Sequence, residues 1–140
     1  MTDLDDSHHF FRHIKKTWMH DEFIEPAAFR LRTLDNGQLE HGLSINWVEF
    51  FQRPTPKEAV RPLRDLLQKK GRTVGGESRF ALLKVRGAKA AAARFTNIQI
   101  VTDEEPDDLS HALVKGYQPF NVQVAEELAK VVITSFAAKA

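Results

Sequence analysis

Arg79-Phe80-Ala81-Leu82-Leu83-Lys84-Val85 is the stretch whose reading decides the fold. Five of its seven residues are apolar and nearly continuous, where a half-exposed strand would alternate. That pattern places a buried strand at a central position in a sheet. Upstream, Thr55-Pro56-Lys57-Glu58 starts a helix: Thr55 caps, Pro56 takes the first helical position and Glu58 completes a capping box. The helix should run toward Lys70 and stop at Gly71, with Pro62 bending or splitting it. Residues 72–76 form a glycine-rich connection.

Further out the elements thin. Residues 43–48 alternate, with Leu43, Ile45 and Trp47 on one side and Ser44 and Asn46 on the other, as a second strand does. Residues 28–33 alternate apolar and basic groups, and read as a strand with Arg30 and Arg32 on one face before an Asp35-Asn36-Gly37 turn. Phe10, Phe11, Ile14 and Trp18 follow mixed spacings that fit a helix or an irregular wrap. Residues 88–95 are alanine-rich and read as a short helix, residues 97–102 as a strand. Asn121 caps a last amphipathic helix reaching about Ala138. The expected fold is α/β, with mixed α+β as the alternative: one compact domain over residues 8–140, a mixed sheet of about four to five strands, and two to three helices. Residues 1–7 are expected to be a disordered lead-in.

Composition bounds the chemistry. The chain of 140 residues has no cysteine, which removes disulfides, thiolate metal sites and cysteine nucleophiles. The acidic start and the lack of a long apolar run give no signal peptide and no membrane span, so the expected location is cytoplasmic. The net charge of +1 conceals segregation: residues 53–94 carry 12 basic and 3 acidic groups, residues 1–52 carry 5 and 9, and residues 95–140 carry 3 and 7. Such a middle either folds onto its own flanks or offers a positive face to an anionic partner. Arg61, Arg64, Lys69, Lys70 and Arg72 are the candidates for that face.

Polar groups set among apolar ones are the other candidates. His111, beside Ser110, follows the acidic loop of residues 103–108, where a neighbouring carboxylate would fix its tautomer as an acid/base group needs. Ser44 lies in Gly42-Leu43-Ser44-Ile45-Asn46, which lacks the second glycine of a nucleophile elbow. Asp107 or Asp108 and His111 follow it in the chain. A hydrogen-bonded strand serine is the plainer reading. His9 and His13, at helical spacing, would share a face, but no third metal ligand stands at a diagnostic distance, and neither metal nor cofactor is expected. Gly71-Arg72-Thr73-Val74-Gly75-Gly76 lacks the P-loop lysine and serves better as a connection than as a phosphate cradle.

The layout Phe11-Arg12-His13-Ile14, then Leu43-Ser44-Ile45-Asn46-Trp47, then the strand of residues 80–85, then Ser110-His111-Ala112 resembles a family of small bacterial proteins. The resemblance covers residues 11–137 and implies no activity, substrate or cofactor. It marks these polar positions as the first to test.

Three functions follow as expectations. The first is a binding module whose basic middle meets nucleic acid or an acidic protein. The second is an enzyme acting on a nucleotide or other phosphorylated small molecule. There His13 or His111 is the acid/base, Arg12 or Arg79 holds the anion, and Ser44, Asn46, Trp47 and Ser110 shape the site. The third is a regulatory or structural subunit of a bacterial two-gene system, docking through Trp18, Phe50 and Phe51.

Overall fold

In the computed structural model, which describes residues 1–34 and 36–139, the stretch quoted first is an inner strand of an antiparallel sheet. The strands are β1 (His9–Ile14), β2 (Met19–His20), β3 (Phe23–Ile24), β4 (Leu43–Trp47), β5 (Arg79–Lys84), β6 (Gln99–Thr102), β7 (His111–Lys115) and β8 (Thr134–Ala137). The helices are α1 (Pro56–Lys69), α2 (Val85–Ala92) and α3 (Val122–Lys130). Six strands form the main sheet in the order β6-β7-β4-β1-β5-β8, and β2 and β3 pair apart as a hairpin. Every pairing is antiparallel, so the architecture is α+β, with more strands than the four to five expected and no parallel pairs among the described residues. None of the described helices is long and apolar enough to cross a membrane.

Alternation along each strand sends side chains to two cores. Phe10, Ile14, Leu43, Ile45, Ala81, Leu83, Ile100, Ala112 and Val114 face α2, α3 and a 3-10 turn at Pro26–Phe29. Phe11, Phe80 and Leu82 face Ala59, Val60, Leu63 and Leu67 of α1. This double burial is why β5 reads as an apolar run.

Helix α1 starts as expected, with the Thr55 hydroxyl accepting the Glu58 N–H at 3.4 Å. It ends in a Schellman arrangement: the Arg72 N–H bonds the Leu67 carbonyl at 2.9 Å, the Gly71 N–H bonds the Gln68 carbonyl at 3.0 Å, and Gly71 has φ +87°. Pro62 does not split the helix.

Other expectations need correction. Residues 10–14 are neither helix nor wrap but β1, an inner strand pairing with β4 and β5. Residues 28–33 form no strand beyond an isolated bridge from Thr33 to Leu39; Pro26, Ala28 and Phe29 instead turn under the sheet. Asp35, in the expected turn, lies outside the described residues. The alanine-rich helix begins earlier, at Val85. The Asn121 helix stops at Lys130, and Asn121 accepts from the Gln118 N–H rather than capping. Residues 134–137 leave the helical stripe to pair with β5. At residues 2–4, Leu4 is 4% exposed, its N–H bonds the Ile100 carbonyl at 2.9 Å, and the Thr102 N–H bonds the Thr2 carbonyl at 2.8 Å.

Candidate functional site

Three strands bring Ser44, Asn46 and His111 to one face. Phe11 opposes Asn46, and Asn46 opposes His111, so these side chains share the α1 side of the sheet. Two residues along their own strands, His13 and Ser44 share it too. Ser44 is half-buried and His111 is 7% exposed.

The geometry around His111 settles its tautomer. Its Nδ1 lies 3.0 Å from the Asp103 backbone carbonyl and 3.2 Å from Asp103 Oδ2. A carbonyl only accepts, so Nδ1 carries a proton, and in the neutral ring Nε2 presents its lone pair. Ser44 Oγ lies 3.2 Å from Nε2 and donates to it in that form. A carboxylate, an imidazole in the basic tautomer and a hydroxyl thus stand in sequence, the arrangement that lets a base polarise a hydroxyl.

The loop that supplies Asp103 is held by a second set of contacts. Asp108, 1% exposed, accepts from the Ser110 hydroxyl at 2.6 Å, the Ser110 N–H at 3.1 Å, Asn46 Nδ2 at 3.0 Å and Lys70 Nζ at 3.0 Å. Burial pushes the Asp108 carboxyl up, but the bonds from Ser110, Lys70 and Asn46 outweigh it and hold the group below the ordinary carboxylate range. Burial likewise lowers Lys70, and its bonds to Glu105 and Asp108 reverse the sign and raise it. Asn46 and Ser110 are both buried and bonded to each other at 2.9 Å, and together they hold Asp108.

The remaining candidates scatter. Arg12 points to the opposite face, where Nε bonds the Ala28 carbonyl at 2.8 Å and Nη1 the Ser44 carbonyl at 2.9 Å. Burial lowers its pKa to about 10. It anchors the backbone of Ser44 and is not free to hold a substrate. Trp47 also faces away, stacked on His8. Arg79 binds Ser135, two strands over from β4 and on the opposite face of the sheet. His9 pairs with Glu49 at 2.8 Å, and on a strand it lies about 13 Å from His13, too far for the two to chelate one ion.

His13 stacks against Phe80 with ring centroids 5.2 Å apart, and its Nε2 is the one buried side-chain nitrogen or oxygen without a hydrogen-bond partner among the described residues. Burial, followed by the charges of Arg12, Arg72 and Lys15, lowers its pKa to about 4. His13 is therefore neutral at pH 7.

Of the basic surface, Arg61, Lys69 and Arg72 are exposed. Lys70 is spent on Glu105 and Asp108, and Arg64 leans on Asp65 and the Ala138 carbonyl. Trp18, Phe50 and Phe51 are half-buried; the exposed aromatics are Phe23, Phe95 and Phe120. Asp103, Glu105 and Lys70 were not singled out for the His111 site from sequence. The acidic loop was the available signal, but the fold of the loop decides which carboxylate turns inward.

Compared with known proteins, the chain matches no family model, no curated protein and no solved structure.

Proposed function

We propose that the chain is an enzyme in which His111 acts as general base on the Ser44 hydroxyl, acting on a small anionic, phosphorylated or esterified substrate. The observation that carries this reading is the geometry: Nδ1 is held by Asp103, and Nε2 lies 3.2 Å from Ser44 Oγ. Ser44 Oγ attacks the phosphoryl or acyl centre and its proton passes to Nε2. The bond to the leaving group breaks, and the leaving group takes that proton; water, giving a proton to Nε2, then attacks the same centre, the bond to Ser44 Oγ breaks, and Oγ takes the proton back. Asp103 stabilises the imidazolium formed in between.

A fluorophosphonate probe tests it, because such reagents react much faster with activated serines than with ordinary hydroxyls. Mass spectrometry should find one adduct, on Ser44. Ser44→Ala should give none, and His111→Asn should slow labelling by about 100-fold or more. An unlabelled wild type, or an adduct that survives Ser44→Ala, overturns the reading.

The exposed Arg61, Lys69 and Arg72 favour a second reading, a binding module for an anionic polymer. Retention on a polyanion column at low salt, lost as salt rises, supports it. Passage without retention at low salt removes it.

A further inference from the structure

The two edges of the main sheet are treated differently. Residues 2–4 cover β6, with an isolated bridge between Asp3 and Val101. No described segment covers β8. Phe80 opposes Phe136, Leu82 opposes Thr134, and the Ala138 N–H bonds the Ser78 carbonyl at 3.0 Å. By antiparallel alternation the backbone groups of residues 134, 136 and 138 turn toward β5, and those of Ser135 and Ala137 turn outward. Arg79 Nη2 bonds the Ser135 carbonyl at 2.8 Å, which leaves that oxygen one lone pair.

A groove of about 950 Å³ runs beside this edge, between the β2–β3 hairpin, the end of α3 and β8. Two of its apolar residues lie open to solvent, Phe23 at 75% and Ile133 at 56% exposure. An uncovered edge flanked by exposed apolar side chains is a pairing surface.

We propose that β8 pairs with β8 of a second copy across a two-fold axis at Phe136, joining the two main sheets into one. That register sets Ser135 opposite the partner's Ala137, and Ala137 opposite the partner's Ser135. Each pair exchanges both N–H···O=C bonds, so all the outward groups of these two residues are used. An antiparallel strand is its own complement under a two-fold, which a peptide of unrelated sequence is not. Beyond the paired residues the chain turns at Lys139, and the Ile133 N–H bends inward to the Leu82 carbonyl at 2.8 Å; the pairing still carries the partner's Lys139 toward Ile133, beside the groove. There Asp21, Glu22 and Glu126 outnumber Arg79 and Lys130, so the local charge suits an arriving lysine.

Sedimentation velocity between about 1 and 200 μM tests the pairing, with a dissociation constant on the order of micromolar expected for so short a strand interface. The Ala137 N–H faces outward, so Ala137→Pro should leave the β5 ladder and the circular dichroism spectrum unchanged while abolishing the dimer. Ile133→Lys, which replaces an exposed apolar side chain by a like charge facing the partner's Lys139, should weaken it about tenfold or more. The chain has no cysteine, so single thiols report register directly. Under mild oxidation a mixture of Ser135→Cys and Ala137→Cys chains should crosslink, and either alone should crosslink far less. A wild type that stays monomeric at 200 μM overturns the proposal. So does a dimer that tolerates both Ala137→Pro and Ile133→Lys, or equal crosslinking of either thiol variant alone.

Discussion

At the scale of single residues, His111 and His13 make opposite use of burial. His111 is bonded through both ring nitrogens, so His111→Asn strands the Asp103 carbonyl or the Ser44 hydroxyl and should cost about 1–3 kcal/mol in urea denaturation. Under the proposed mechanism the folded fraction also loses about 100-fold or more of its reactivity; a destabilised variant that keeps full specific reactivity removes His111 from the chemistry. His13 should instead make stability depend on pH. Its folded pKa of about 4 lies below the unfolded value near 6.5, so between these pH values the unfolded chain binds the proton and the folded chain does not. Stability should therefore fall as pH drops from about 6.5 to 4. Solvent screening at this half-buried site reduces the full effect to about 1–3 kcal/mol. His13→Leu should flatten that slope when unfolding midpoints are compared at pH 7 and pH 4.5, and an unchanged slope would assign the acid sensitivity elsewhere. Asp108 has the acidic counterpart: held below its ordinary range, it contributes stability above the unfolded carboxyl pKa near 4, lost as pH falls further through its own value.

At the scale of elements, the sequence was legible where one local force dominated. The β5 run and the Thr55 start and Gly71 stop of α1 are short-range signals, and the structure keeps them. β1 was obscured because it is buried on both faces while carrying His9, Arg12 and His13, whose partners lie on other elements. β8 was obscured because the helical stripe of α3 continues into Val132 and Phe136, and only pairing with β5 decides against helix. The His111 and Ser110 pair was visible as polar groups in an apolar setting, whereas the choice of Asp103 depended on a loop conformation set by Asp108. Glycines test how local each signal is. Gly71 has φ +87° with nothing within 4 Å of an added Cβ, so Gly71→Ala should cost only the left-handed strain, about 1–2 kcal/mol. Gly116 has φ +105°, and an added Cβ would lie 2.7 Å from the Asn97 carbonyl oxygen. Gly116→Ala adds backbone overlap to strain and should cost about 3 kcal/mol or more. Thermal unfolding of the two variants should separate them clearly, and equal shifts would mean that the segment at Asn97 yields to the methyl group.

At the scale of the whole molecule, the charge segregation and the two sheet edges belong to one argument. The basic middle does fold onto its flanks at two places, Lys70 on Glu105 and Asp108, and Lys89 on Asp6. The second of these sits beside the N-terminal segment that closes the β6 edge, and closure there rests on Leu4, 4% exposed, and on its backbone bond to Ile100. Removing residues 1–5 therefore takes away a buried leucine worth about 2–3 kcal/mol and hydrogen bonds worth about 1 kcal/mol each, against an ordering cost of about 1–2 kcal/mol for each freed residue. These terms largely cancel, so the net loss of stability should be small, about 1–2 kcal/mol, whereas the change at the edge is not offset. Gln99, Ile100, Val101 and Thr102 would present unpaired backbone next to newly exposed apolar surface. The truncated chain should unfold at slightly lower urea and associate beyond a dimer as concentration rises, because both sheet edges are then open and growth no longer closes on a two-fold. Adding Ala137→Pro to the truncation should cap growth at pairs through β6. A truncated chain with the wild-type midpoint and wild-type sedimentation would show that residues 1–5 only rest on the sheet.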